Sequence, residues 1–330
     1  MGARVRLAAA RPVTIGLLVG GLAFWLSFRG LSAEDLFGTL ATLSLPFTAA
    51  ALLSTLVTLV AVTWRWQWLF HPRQHDVHFH ALFKAVVVGQ MLNIASPIRV
   101  GEVARVYSLA HDAGLSKAHV LATVALEKVL DLVLFAGAVA LLLALMAFPD
   151  GVRLKTSAQL SAALAALALL WLAARFGLPL ARWLERRLPK VPPRWRDVAI
   201  RTLHRFLDGL AALRRPHVGS ILLAQSILVM FCSALTNLLV MEAFGFSVPI
   251  WAALFLLVLL QVGSVPPSLP GKLGVFNYLV VVGLGTFGVD RAEAFSYSVV
   301  LYAVAFLPKL ILGACYLAIT PISWRGERAA

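Results

Sequence analysis

Runs of roughly twenty apolar residues recur along this chain, and that repetition restricts its fold more than any other feature. About 30 Å of hydrocarbon needs ~20 apolar residues in a helix, because each residue adds only ~1.5 Å. Full spans are expected near 12–28, 41–64, 118–148, 157–177, 218–241 and 293–320. The chain is 60% hydrophobic and 13% charged, with mean hydropathy +0.86, which excludes a soluble domain. A net charge of +14 would suggest nucleic acid in a soluble protein. Here the basic residues sit beside apolar segments, so cytoplasmic loops and anionic lipid explain them better.

Four further apolar segments are short or interrupted: about 81–96, 97–110, 250–265 and 275–288. Near the junction of each pair lies the same pattern, Pro97-x-Arg99-x-Gly101 and Pro270-x-Lys272-x-Gly274. Proline breaks a helix, glycine admits close backbone approach, and a cation at that depth is costly. Broken segments in corresponding places of two halves point to a transport site.

Charge decides the threading. The loop from Arg175 to Arg215 holds eleven Lys/Arg against Glu185, Asp197 and Asp208, so it belongs in the cytoplasm. Threading 81–96 as a full span would carry that loop outside. Each short pair therefore reads as a re-entrant hairpin, one entering from the cytoplasm and one from the outer face. The expected fold is an all-α polytopic membrane protein, an inverted-topology repeat of about six full transmembrane helices plus two re-entrant helical hairpins. All of 1–330 forms one transmembrane domain, with half one at about 12–148 and half two at about 157–320. A basic cytoplasmic loop at about 178–217 lies inside half two. Arg194–Leu213 reads as an amphipathic interfacial helix. Trp64, Trp66 and Trp68 beside Arg65 read as an interfacial aromatic belt. Arg4, Arg6 and Arg11 precede a first helix that is expected to be retained, with both termini cytoplasmic.

The strongest polar cluster is Arg99, Glu102, Arg105, Glu127, Lys128 and Asp131. Glu102 and Arg105 share a helix face, as do Glu127 and Asp131. Two roles are compatible: the acids neutralise Arg99 and Arg105 and hold hairpin to helix, or the network also binds a zwitterionic head group. Other signals carry less. Gly283-x-Gly285-x-x-Gly288 matches a dinucleotide fingerprint by letter only and reads as close helix packing. His71, His75, His78 and His80 fit no standard metal spacing and read as a solvated loop. Cys232 and Cys315 fall inside spans, away from any disulfide framework.

Pro97-x-Arg99-x-Gly101-Glu102-x-x-Arg105, then Gly114-Leu115-Ser116, then Glu127-Lys128-x-x-Asp131, resembles the flippase-like family named for the lysylphosphatidylglycerol synthase membrane domain. Pro270-Gly271-Lys272-Leu273-Gly274-Val275 looks like its second signature, and Pro308 with Gly313 fits its closing helix. The resemblance implies a bacterial inner-membrane protein that moves a phospholipid, or a related anionic, polyprenyl-linked or hopanoid lipid, between leaflets. With the sequence ending at Ala330, no synthase domain is expected. Two departures stand out: Asn277 replaces a frequent acid, and Val300–Phe306 lacks the frequent base of the last helix.

The expected lipid contacts are Arg99, Glu102, Arg105, Glu127, Asp131, Lys272 and Asn277, with Pro97, Gly101, Pro270, Gly271 and Gly274 shaping the hairpin tips. The expected partners are membrane lipids and a lipid-synthesis enzyme, with no nucleic acid. No cofactor, metal or catalytic residue is expected. The rival readings are a membrane enzyme transferring a group onto a lipid carrier, with Glu127 or Asp131 as base, and a non-transporting scaffold.

Overall fold

A computed structural model describes residues 21–23, 25–27, 29, 38–41, 43–72, 74–96, 100–145, 165, 168, 172, 202–204, 207, 215–263, 271 and 273–320. Among them every stretch of regular structure is helical. The main elements are α1 (Leu45–Trp68), α2 (Phe79–Ala95), α3 (Val100–Asp112), α4 (Lys117–Leu145), α5 (Pro216–Ala243), α6 (Trp251–Gly263), α7 (Val275–Gly285) and α8 (Arg291–Ile319).

Among the described residues, α1, α4, α5 and α8 are long and apolar enough to cross a membrane. They coincide with the spans expected at 41–64, 118–148, 218–241 and 293–320. The expected spans at 12–28 and 157–177, and the amphipathic helix at 194–213, lie largely outside the described residues. Helices α3, α6 and α7, at 13, 13 and 11 residues, reach only ~20 Å or less. With the 17-residue α2 they form the two expected pairs, α2–α3 and α6–α7.

Local chemistry sets the boundaries. Ser116 Oγ accepts the His119 amide (3.2 Å) at the start of α4, and Asp290 Oδ2 accepts the Ala292 amide (2.8 Å) before α8. After α3, Gly114 at φ 63° lets the Leu115 amide reach the Ala110 carbonyl (3.0 Å) and ends the helix. The same bond closes α5 at Gly245, from the Phe246 amide to the Met241 carbonyl (3.1 Å).

The chain packs as two compact units. Unit 1 comprises Met1–Thr58, Val87–Gly101 and Phe231–Ala318; unit 2 comprises Leu59–Val86, Glu102–Met230 and Ile319–Ala330. Helices α1, α2, α3, α5 and α8 each have residues in both units. In unit 1, Val240, Leu256, Phe276, Val280, Tyr297 and Leu301 form one buried cluster. There α6 and α7 meet through glycine: a side chain at Gly283 would overlap Leu259, and one at Gly263 would overlap Leu279. Unit 2 buries Trp66, Leu82, Leu109, Leu126 and Leu222. Leu53 and Phe231 are about three-fifths exposed, at 62% and 61%, in helices whose outer faces suit acyl chains.

Candidate functional site

Inside unit 2, six ionisable side chains form one connected network. Glu127 and Asp131, four residues apart on α4, share a face and both reach Arg65 of α1. Arg65 Nη1 lies 2.6 Å from Asp131 Oδ1, and Nη2 lies 3.4 Å from Glu127 Oε1. Arg105 of α3 donates from Nη2 to Glu127 Oε2 at 2.7 Å and lies 3.4 Å from Glu102 Oε2. Lys128 Nζ completes the chain 3.0 Å from Glu102 Oε1. Three cations thus face three carboxylates. Arg65, Arg105 and Glu127 are 2–4% exposed, so these ions are held by one another in place of water.

Neutral groups position the ions. The Arg105 guanidinium sits 4.2 Å over the Trp66 ring, a cation–π contact in a dry setting. Trp66 Nε1 donates to Thr123 Oγ1 (3.1 Å), and Arg65 Nη1 donates to Ser226 Oγ (3.2 Å). Nearby within unit 2, Ser108 Oγ and both amide atoms of Gln225 are buried without a protein partner. The expected aromatic belt is corrected here. Trp64 is half exposed, as an interfacial residue would be, but Trp66 and Arg65 are buried. Closeness in sequence to Arg65 placed them in one belt, whereas a helix turns successive residues by ~100° and separates them.

The expected site residues fall into three groups. Glu102, Arg105, Glu127 and Asp131 meet in this network, and Arg65 joins them. Its signal was an arginine inside an apolar helix, three residues before the helix end. Pro97, Arg99, Pro270 and Lys272 lie outside the described residues. Gly101, Gly271, Gly274 and Asn277 lie in unit 1. The Gly101 amide donates to Asn93 Oδ1 (2.8 Å), and any side chain there would overlap the Gly89 carbonyl oxygen. This is where α2 and α3 approach within that unit. Gly271 (φ 75°) and Gly274 (φ 84°) hold the left-handed backbone that leads into α7. Asn277 is 3% exposed; its Oδ1 accepts the Gly274 amide (3.3 Å) and its Nδ2 donates to Ser298 Oγ (2.7 Å). Its amide ties the start of α7 to α8.

Unit 1 also contains a half-open pocket of about 240 Å³ with a mixed polar and apolar lining. Its walls include Thr55 and Thr58 of α1, Thr236 and Asn237 of α5, Gln261 of α6 and Lys309 of α8. Phe276 and Phe306 supply apolar surface. Lys309 was not read as a site residue from the sequence. It lies three positions beyond the uncharged stretch Val300–Phe306, directly after the helix-interior Pro308.

Residues 13–313 match the family of the lysylphosphatidylglycerol synthase TM region. The chain belongs to this family. The match covers nearly the whole sequence and includes both broken helix pairs, the ionic network and Lys309. No curated protein matches the sequence. Its multi-pass, helical membrane character follows from this membership and from the four long apolar helices.

Proposed function

We propose that this membrane domain moves lipid between the leaflets of a bacterial inner membrane, as a flippase-type transporter. The observation that carries the reading is the presence of two helix pairs, α2–α3 and α6–α7, with members mostly too short to cross a bilayer. Broken helices of this kind persist at membrane depth only where protein or a wet cavity serves their open backbone ends. The buried network supports the same reading, since ionisable groups in apolar helices mark substrate paths or the elements that gate them. In the inverted-repeat arrangement, with both termini and the basic central loop cytoplasmic, the two halves would rock about a central path.

Group transfer onto a lipid carrier is less well supported. Both oxygens of Glu127, one of the two candidate bases, are engaged by guanidinium groups, and the other, Asp131, pairs with Arg65 at 2.6 Å, which leaves both poorly placed to take a substrate proton.

The test is lipid exchange in vesicles reconstituted with the purified full chain and a fluorescent phospholipid, read by chemical quenching of the outer leaflet. Exchange should exceed that of protein-free vesicles at least tenfold. Glu127→Gln should remove most of the excess while the protein remains monodisperse in detergent. Equal exchange with and without protein would overturn the transport reading. Full exchange by Glu127→Gln would take the network out of it.

A further inference from the structure

The pocket of unit 1 has two chemically different walls, one of neutral polar groups and one of aromatic and aliphatic side chains. We infer that it receives a sugar ring, the headgroup of a glycolipid, recognised through its hydroxyls. This deepens the transport reading and rests on it.

The polar wall combines fixed groups with a free one. Thr55, Thr58, Ser233 and Thr236 bring hydroxyls to it, and Asn237 and Gln261 bring amides. Thr55 and Thr58 donate to carbonyls of their own helix, at Ala51 (3.2 Å) and Ser54 (2.8 Å). The Thr236 hydroxyl lies 3.0 Å from both the Cys232 carbonyl and Ser54 Oγ. Asn237, 4% exposed, donates its amide to the Ala253 carbonyl (3.1 Å). Each of these four keeps oxygen lone pairs for a ligand, already oriented by the protein. Gln261 differs. It is exposed near the end of α6 and makes no hydrogen bond to the described residues, so its amide has both donors and an acceptor to give. A ligand that answers fixed acceptors and a free amide together must donate and accept at several points. A set of hydroxyls does so.

The apolar wall gives those hydroxyls a frame. Leu257, Leu301, Phe276 and Phe306 belong to it. Its rings hold one another: Phe276 and Phe306 meet edge to face with centroids 5.6 Å apart, and Tyr302 packs on them at 5.5 and 4.5 Å. Fixed aromatic surface accepts the C–H face of a pyranose, while the hydroxyls around the ring's edge stay with the polar wall. A flexible polyol chain lacks such a face. Lys309 also borders the pocket, its ammonium 5.7 Å from the Phe306 ring, and this recognition of hydroxyls does not depend on its charge.

Size agrees. At 240 Å³ the pocket far exceeds a single water's ~30 Å³ share of liquid, yet falls below the ~300–1,000 Å³ of sites that enclose whole drug-sized molecules. It suits one headgroup ring, with the acyl chains outside its open side.

The experiment is native mass spectrometry of the full chain in a detergent without a sugar headgroup, doped singly with glucosyl-diacylglycerol, its permethylated analogue or diacylglycerol. Glucosyl-diacylglycerol should bind at least tenfold tighter than diacylglycerol. The permethylated ring keeps its oxygens and loses every donor, so it should bind about as weakly as diacylglycerol. Gln261→Leu breaks no hydrogen bond among the described residues. It should weaken glucosyl-diacylglycerol about fivefold, the worth of one hydrogen bond, and leave the unfolding midpoint in place. Phe306→Leu should weaken it about threefold. Equal binding of the three lipids, or unchanged binding by both variants, would overturn the assignment. Methyl glucoside displacing the glucolipid at equal concentration would overturn the lipid part of it in favour of a free sugar. Vesicle exchange separates this from the broader reading. Selective binding by a chain that exchanges neither the fluorescent phospholipid nor a fluorescent glucolipid would overturn transport alone, whereas exchange without selective binding would overturn the pocket assignment alone.

Discussion

Unit 2 and unit 1 both bury polar groups, but they do so in opposite ways. Unit 2 fills its polar interior with charges that satisfy one another: Arg65, Arg105 and Lys128 against Glu102, Glu127 and Asp131. Unit 1 lines a pocket with neutral hydroxyls and amides, of which Thr55, Thr58 and Asn237 donate to backbone carbonyls, beside apolar side chains such as Leu257, Phe276 and Phe306. In the first, the buried ions Arg65, Arg105 and Glu127 take their partners from the protein. The second is held by neutral hydrogen bonds, largely from side chains to backbone carbonyls. A buried ion is therefore not by itself a binding residue. What matters is whether its partners come from the protein or must come from outside.

The largest effect should follow from breaking the ionic network. Arg105→Met leaves the buried Glu127 carboxylate with Arg65 as its remaining ion-pair partner, at 3.4 Å. Removing one member of a buried pair costs about 3–5 kcal/mol. Thermal unfolding in detergent should show it as a large drop in midpoint. Adding Glu127→Leu should recover much of the loss if the network is a self-balanced lock. A double variant as unstable as the single one would mean that the charges do more than neutralise each other.

A smaller loss should follow at Gly101, where α2 and α3 approach. Gly101→Ala drives a methyl into the Gly89 carbonyl oxygen, and overpacking of this kind costs about 1–3 kcal/mol. The same unfolding assay measures it. A neutral Gly101→Ala would mean that the two helices can separate there without loss, which would weaken the case for a tight hairpin.

The smallest effect lies at the edge of unit 2, beyond α1. Burial, reinforced by Arg215, His217 and His75, holds the His71 imidazole below its ordinary value near 6.5. The unfolded chain therefore takes up this proton first. The contribution of His71 to stability is complete above about pH 6.5 and declines as pH falls below it. Because the ring is only partly buried, the slope should be slight. Replacing His71 with Gln should flatten it in unfolding midpoints measured from pH 7.5 to 5. An unchanged profile would place the pH sensitivity elsewhere.

Much of the architecture was legible in advance, and for a definite reason. Hydrocarbon thickness converts directly into run length, so α1, α4, α5 and α8 fall where apolar runs of the right length fall. The two short pairs were legible because Pro and Gly interrupt an apolar pattern only where the backbone has other company. The acids Glu127 and Asp131 were found by their spacing on one helix face. Arg65 was misread because its tryptophan neighbours matched a surface pattern, and only the direction of each side chain around α1 separates Trp64 from Trp66.

The sequence alone determined that this chain is a helical membrane protein with two broken apolar pairs, since composition, run length and helix-breaking residues act locally. Only the tertiary structure decided which charges are partners and which face a cavity. Arg65 and Glu127 are 62 residues apart, and Thr58 and Lys309 come from opposite ends of the chain. Pairing depends on which helix faces meet, and the packing of whole helices fixes that, with side-chain spacing along any one of them leaving it open.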